Sequence, residues 1–93
     1  MAILSFKCAE TKALFDGQRI KRFVNIEGVA MRKLAMLNRA ERVGDMRIPL
    51  GNRLEALKHD RAGQHGVRIN KQFRLCFVWT GNGAIDVEIV DYH

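Results

Sequence analysis

The sequence is poor in the residues that staple or punctuate small folds. Its 93 residues include two cysteines, one proline, one tryptophan and one tyrosine. Cys8 and Cys76 cannot build a disulfide framework, and neither belongs to a Cys/His cluster with zinc spacing. Both read as packing or incidental thiols in a reducing compartment, with no metal or other cofactor expected. No apolar run approaches the roughly 20 residues of a membrane span. The opening Met1-Ala2-Ile3-Leu4-Ser5-Phe6-Lys7 lacks the long apolar core of a secretory signal. A stapled secreted domain and a membrane-spanning protein are therefore not expected, and a cytoplasmic protein is. The length suits one domain over residues 1–93 with a real but small core.

Acidic residues are the other shortage. Ten aspartates and glutamates face 16 lysines and arginines, for a net charge of +6 and a pI near 9.9. Such an excess points to a polyanion or to an acidic protein as partner.

Read in order, residues 3–7 alternate Ile3 and Ser5 against Leu4 and Phe6, a short edge-strand pattern. Thr11 to Asp16 predicts a short helix stopped by Gly17. Arg19-Ile20-Lys21-Arg22 reads as a basic linker, expected to be the most mobile part of the chain. Asn25 to Glu41 predicts the main helix, with Asn25 as N-cap and Glu27 in the first turn. Its apolar stripe is Ile26, Ala30, Leu34 and Leu37, and Arg32, Lys33, Arg39 and Arg42 form its solvated side. Val43 to Gly51, which contains Pro49, reads as irregular.

Four strands follow, over Arg53–Leu57, Gln64–Ile69, Phe73–Trp79 and Ile85–Val90. Asn70-Lys71 and Thr80-Gly81-Asn82-Gly83 are the turn signals around the third. Alternation sets Phe73, Leu75, Phe77 and Trp79 against Arg74, Cys76 and Val78, and points Ile85, Val87 and Ile89 inward. The order β-α-α-β-β-β-β defines an α+β class, an N-terminal short strand and two helices packed on an antiparallel sheet.

The chemistry-bearing residues gather after Asn52. Arginines, lysines and histidines are threaded through the meander, and the sequence closes on Asp91-Tyr92-His93, residues able to handle protons and hydrogen bonds. A basic surface near such a trio suggests chemistry on a phosphodiester.

Asn52-Arg53-Leu54-Glu55-Ala56-Leu57 and the Asp60-Arg61-x-Gly63-Gln64 turn carry a family resemblance. So do Val67-Arg68-Ile69-Asn70, Phe73-Arg74-Leu75-Cys76-Phe77 and Val87-Glu88-Ile89-Val90-Asp91-Tyr92-His93. These segments resemble the HigB-type toxins, the plasmid maintenance system killer proteins of the RelE/ParE superfamily. The resemblance implies a RelE-like fold and a toxin of a type II toxin–antitoxin pair that cleaves mRNA in the ribosomal A site. It further implies neutralisation by a HigA-type helix-turn-helix antitoxin, with operator DNA bound only through that antitoxin.

Carried over residue by residue, the resemblance puts the catalytic surface on Lys58, Arg74, Asp91, Tyr92 and His93, with Glu55 where some relatives carry a histidine. Arg53, His59, Arg61, Arg68 and Lys71 are the candidate contacts to RNA and the 70S ribosome. RNA can be cut without metal when its 2′-hydroxyl attacks the adjacent phosphate, given a base, cations for the phosphate and an acid for the leaving oxygen. Arg74 and Lys58 suit the phosphate, and His93 and Tyr92 suit proton transfer. Asp91 can orient His93 or accept a proton itself, and Glu55 or His59 can serve as the base. Two other readings fit the composition: a non-enzymatic inhibitor of DNA gyrase resembling the ParE branch, and a plain RNA-binding module.

Overall fold

The computed structural model describes residues 2–92. The observed elements are α1 (Ala9–Phe15), α2 (Glu27–Arg39), β1 (Glu55–Ala56), β2 (His65–Arg68), β3 (Phe73–Thr80) and β4 (Gly83–Asp91). The four strands form one antiparallel sheet in the order β1-β2-β3-β4, with two helices packed on it, as the α+β reading expected. The helices contribute Leu14, Ala30, Leu34 and Leu37, and the sheet contributes Val67, Leu75, Phe77, Val87 and Ile89, to one buried cluster.

A bulge in β4 shapes the rest. Cys76 pairs with Glu88 but Val78 pairs with Ile85, so Asp86 is an extra residue, with φ of 54°. The inserted residue reverses the alternation beyond it. Val87 and Ile89 point inward as expected, but Ile85 is only half-buried, and Ala84 takes the buried position.

The same bulge explains the N-terminal segment. It lies parallel to β4 at the sheet edge, but only as isolated bridges, Ile3 to Ala84 and Phe6 to Val87, three residues apart on each side. A regular ladder cannot run past the bulge, and the Ser5 hydroxyl accepts the Asp86 N–H at 2.9 Å in the gap. Gly83 is required here: a Cβ on it would stand 2.2 Å from the Ala2 carbonyl oxygen.

Several local expectations shift. Gly17 ends α1 as read, with φ of 99°. Asn25 does not cap α2. It lies inside a 3₁₀ turn over Lys21–Ile26, and Ile26 holds the cap position without a side-chain bond. The basic stretch before it is more structured than its composition suggests. Phe23 is fully buried and meets Phe73 edge-on, while Arg22 pairs with Glu10 and covers the Phe23 ring.

Lys33 is not on a solvated side. It is half-buried and donates to Asn52 Oδ1, and its pKa is lowered by desolvation and then by neighbouring Arg32. The strand expected over Arg53–Leu57 shrinks to Glu55–Ala56, because Arg53 adopts a left-handed conformation with φ of 48°. Trp79 packs against the core but is half-buried, whereas Phe77 is fully buried. Asn70 makes the β2–β3 turn with its own side chain, which accepts the N–H groups of Gln72 and Phe73.

Candidate active site

The sheet face away from the core cluster is partly covered by the segment between β1 and β2. Leu57 seats over Gly66, where a Cβ would lie 3.4 Å from its Cδ2. Cys76 shares that row of the sheet, since Glu55 pairs with Gly66, Gly66 with Cys76, and Cys76 with Glu88. Cys76 is fully buried, and burial pushes its thiol up to about 11.

Above this row Arg61 donates to Gln64 Oε1 at 3.1 Å and to Glu88 Oε1 at 3.0 Å. The bond to Glu88 raises the Arg61 pKa. Arg61, a sequence candidate for RNA contact, is thus committed to holding the cover onto the sheet.

The next row carries the remaining charge. Arg74 faces Arg68 on one side and Val90 on the other. Two arginines directly opposed would repel. Arg74 is compensated by an ion pair to Glu55 on β1, and its guanidinium lies 4.9 Å from the centre of the Tyr92 ring. Glu55, Ala56, Leu57, Lys58, His59 and Tyr92 line a pocket of about 290 Å³. His59 is held in a left-handed conformation, with φ of 58°, at the start of a 3₁₀ turn over His59–Arg61. The structure therefore brings together Glu55, Lys58, His59, Arg74 and Tyr92.

Tyr92 is fixed by a residue the sequence did not single out. Gln72, just before β3, accepts the Tyr92 N–H on its carbonyl oxygen at 2.5 Å, and its side chain donates to Asp91 Oδ2 at 3.0 Å. No motif marks Gln72; its importance follows from the register that sets Phe73 opposite Asp91. Asp91 is therefore engaged with Gln72 beside the pocket. Arg53 and Lys71 are exposed and outside the pocket lining, and His93 lies outside the described residues. Among the described residues no group of three or more His, Cys, Asp or Glu side chains is placed to hold a metal ion.

Two helices packed on a four-stranded antiparallel sheet make an α+β fold consistent with RelE-like toxins. Residues 5–93 match the family model described as the RelE-like toxin of type II toxin–antitoxin system HigB. The chain is 35% identical over 85 residues to Toxin HigB-1 of Vibrio cholerae serotype O1, covering 89% of this chain and 90% of that protein. It is 36% identical over 58 residues to an uncharacterized protein of Haemophilus influenzae, covering 62% of this chain and 57% of that one. The chain belongs to the HigB-like toxin family, and as a type II toxin it has an antitoxin as its partner. No described helix is long and apolar enough to cross a membrane.

Proposed function

We propose that this toxin is a single-domain, cytoplasmic endoribonuclease that cleaves mRNA in the A site of the 70S ribosome, without a metal, and so stops translation. The observation that carries the reading is the placement of Arg74 between Glu55 and Tyr92, beside a pocket lined by Lys58 and His59. In the reaction the 2′-oxygen of one nucleotide bonds to the adjacent phosphorus and the 5′-oxygen of the next leaves. Glu55 or His59 takes the 2′ proton, and Tyr92 or His93 gives a proton to the leaving oxygen. Arg74 and Lys58 stabilise the charge that builds on the phosphate, the first as a planar fork and the second as a point charge. Asp91 positions this end of the sheet through Gln72.

Arg53, His59, Arg68 and Lys71 add cations for the RNA backbone, and the ribosome presents the codon that so small a pocket cannot select by itself. Neutralisation falls to a HigA-type helix-turn-helix antitoxin, which also carries the complex to operator DNA.

The test is a ribosome-bound message with a single 2′-O-methyl group at the scissile nucleotide. The mechanism requires that cleavage stop there and that the unmodified message yield a 2′,3′-cyclic or 3′-phosphate end. Persistent cleavage of the blocked message would overturn it.

A further inference from the structure

The two most exposed large apolar side chains among the described residues stand together, outside the core and the proposed nuclease site. Ile48 is 74% exposed and Leu50 is 87% exposed, with exposed Pro49 between them. Both side chains sit on a tip that is firmly built. Met46 anchors its start in the core at 1% exposure, and Asn52 anchors its end at 0%. The Asn52 side chain donates to the Met46 carbonyl oxygen at 3.0 Å and accepts from Lys33 of α2. Its backbone N–H donates to the Pro49 carbonyl oxygen at 3.0 Å. A buried amide thus cinches the base of a short loop whose apolar side chains point out. Large apolar side chains grouped in this way mark an interaction surface more often than they do when scattered singly.

The chemistry of the tip selects its occupant. Exposed Arg47 and Arg53 flank the apolar residues. A second copy of a chain with net charge +6 would bring like charges together. Single-stranded RNA is gripped by aromatic stacking, and the tip offers only aliphatic side chains. An acidic protein with an apolar groove satisfies both features. The open edge of the sheet is no competing anchor, since β1 has two residues and Arg53 breaks it.

We propose that the Arg47–Arg53 tip is the anchor by which the antitoxin captures this toxin: Ile48 and Leu50 enter an apolar groove on the antitoxin, and carboxylates on its rim face Arg47 and Arg53. The proposal rests on membership of a type II toxin family and not on the nuclease reading. Leu50 is five residues before Glu55, at most about 18 Å even in a fully extended chain. A protein seated on the tip therefore reaches the rim of the pocket.

The experiment measures affinity of the purified toxin for the antitoxin co-expressed with it, alongside ribosome-dependent mRNA cleavage and melting temperature. Ile48→Ser/Leu50→Ser should weaken antitoxin binding at least about 100-fold, the scale of losing two anchor side chains, with unchanged melting. Arg47→Glu should weaken it about 10-fold and lower its salt dependence. That pattern supports the proposal whatever the cleavage assay reads, so failure of the nuclease reading leaves it standing. Unchanged affinity in both folded variants overturns it. If cleavage falls instead, the tip belongs to the ribosome. If sedimentation shows the serine variant dissolving a toxin dimer at constant antitoxin affinity, it belongs to a second copy.

Discussion

Replacing Arg74 with alanine should separate activity from stability. Its guanidinium pairs with Glu55, whose side chain is 51% exposed, and covers the Tyr92 ring at 4.9 Å. An ion pair open to solvent contributes about 0–1 kcal/mol, and an exposed cation–π contact about 0.5–1 kcal/mol. Part of that loss is returned, because Arg68 directly opposite is relieved of a like charge. The net cost should be about 1 kcal/mol, or a fall in Tm of roughly 4–8 °C for a domain of this size.

The rate should respond very differently. If Arg74 neutralises the phosphate in the transition state, its loss should slow single-turnover cleavage about 10²–10³-fold. Arg74→Lys should recover part of this, since the charge remains but the fork that also holds Glu55 does not. The assay is cleavage of a short message on programmed ribosomes with toxin in excess, read beside a thermal melt. A folded Arg74→Ala protein that cleaves at the parent rate would remove Arg74 from the chemistry and leave it as a partner for Glu55.

Three further outcomes follow from the packing. Phe77→Ala, at a fully buried site between the helices and the sheet, should cost about 3–5 kcal/mol in urea unfolding; an unchanged midpoint would mean that this face of β3 is not the core. Asn52→Ala should cost about 1–3 kcal/mol by leaving the buried Met46 carbonyl without its donor, and hydrogen exchange should rise across residues 46–52; undiminished protection there would rule out the clasp. In native protein at pH 8 a maleimide should label half-buried Cys8 and spare Cys76 until the chain is unfolded. Because burial raises the Cys76 thiol from 9.0 to about 11, its contribution to stability is complete below pH 9 and lost as pH rises through about 11. A Cys76→Ala variant should lose that alkaline dependence, and retention of the full dependence would assign it to another group.

The elements with strong periodicity were legible from the sequence. The stripe Ile26, Ala30, Leu34 and Leu37 and the alternation Phe73, Leu75, Phe77 each placed its residues in the core. What local patterning could not register was the backbone irregularity at Arg53 and Asp86. Arginine does not announce a left-handed conformation, and aspartate, which tolerates one, gives no bulge signal inside an alternating run; yet Arg53 truncates β1 and Asp86 moves the buried position from Ile85 to Ala84. The N-terminal strand is reduced to bridges for the same non-local reason, since its ladder depends on a bulge some eighty residues away.

The candidate site was partly legible. The residues around Glu55, Lys58 and Arg74 could be named from their resemblance to a family, and the register of the sheet brings them together with Tyr92. The commitment of Arg61 to Glu88 and the hold of Gln72 on Asp91 and Tyr92 are tertiary contacts between residues 27 or more, and 19 or more, positions apart. No spacing rule encodes them. A helical wheel puts Lys33 on the solvated side because it sees only its own helix, and not the Asn52 amide that meets it.

The most direct test of the account is to map the 5′ ends of a defined message incubated with the purified toxin, with and without 70S ribosomes. Cuts are expected inside codons positioned in the A site, lost when ribosomes are omitted and lost again in the folded Arg74→Ala variant. An intact message on actively elongating ribosomes, from a toxin preparation that still arrests growth, would contradict the nuclease and point to a target bound without cleavage.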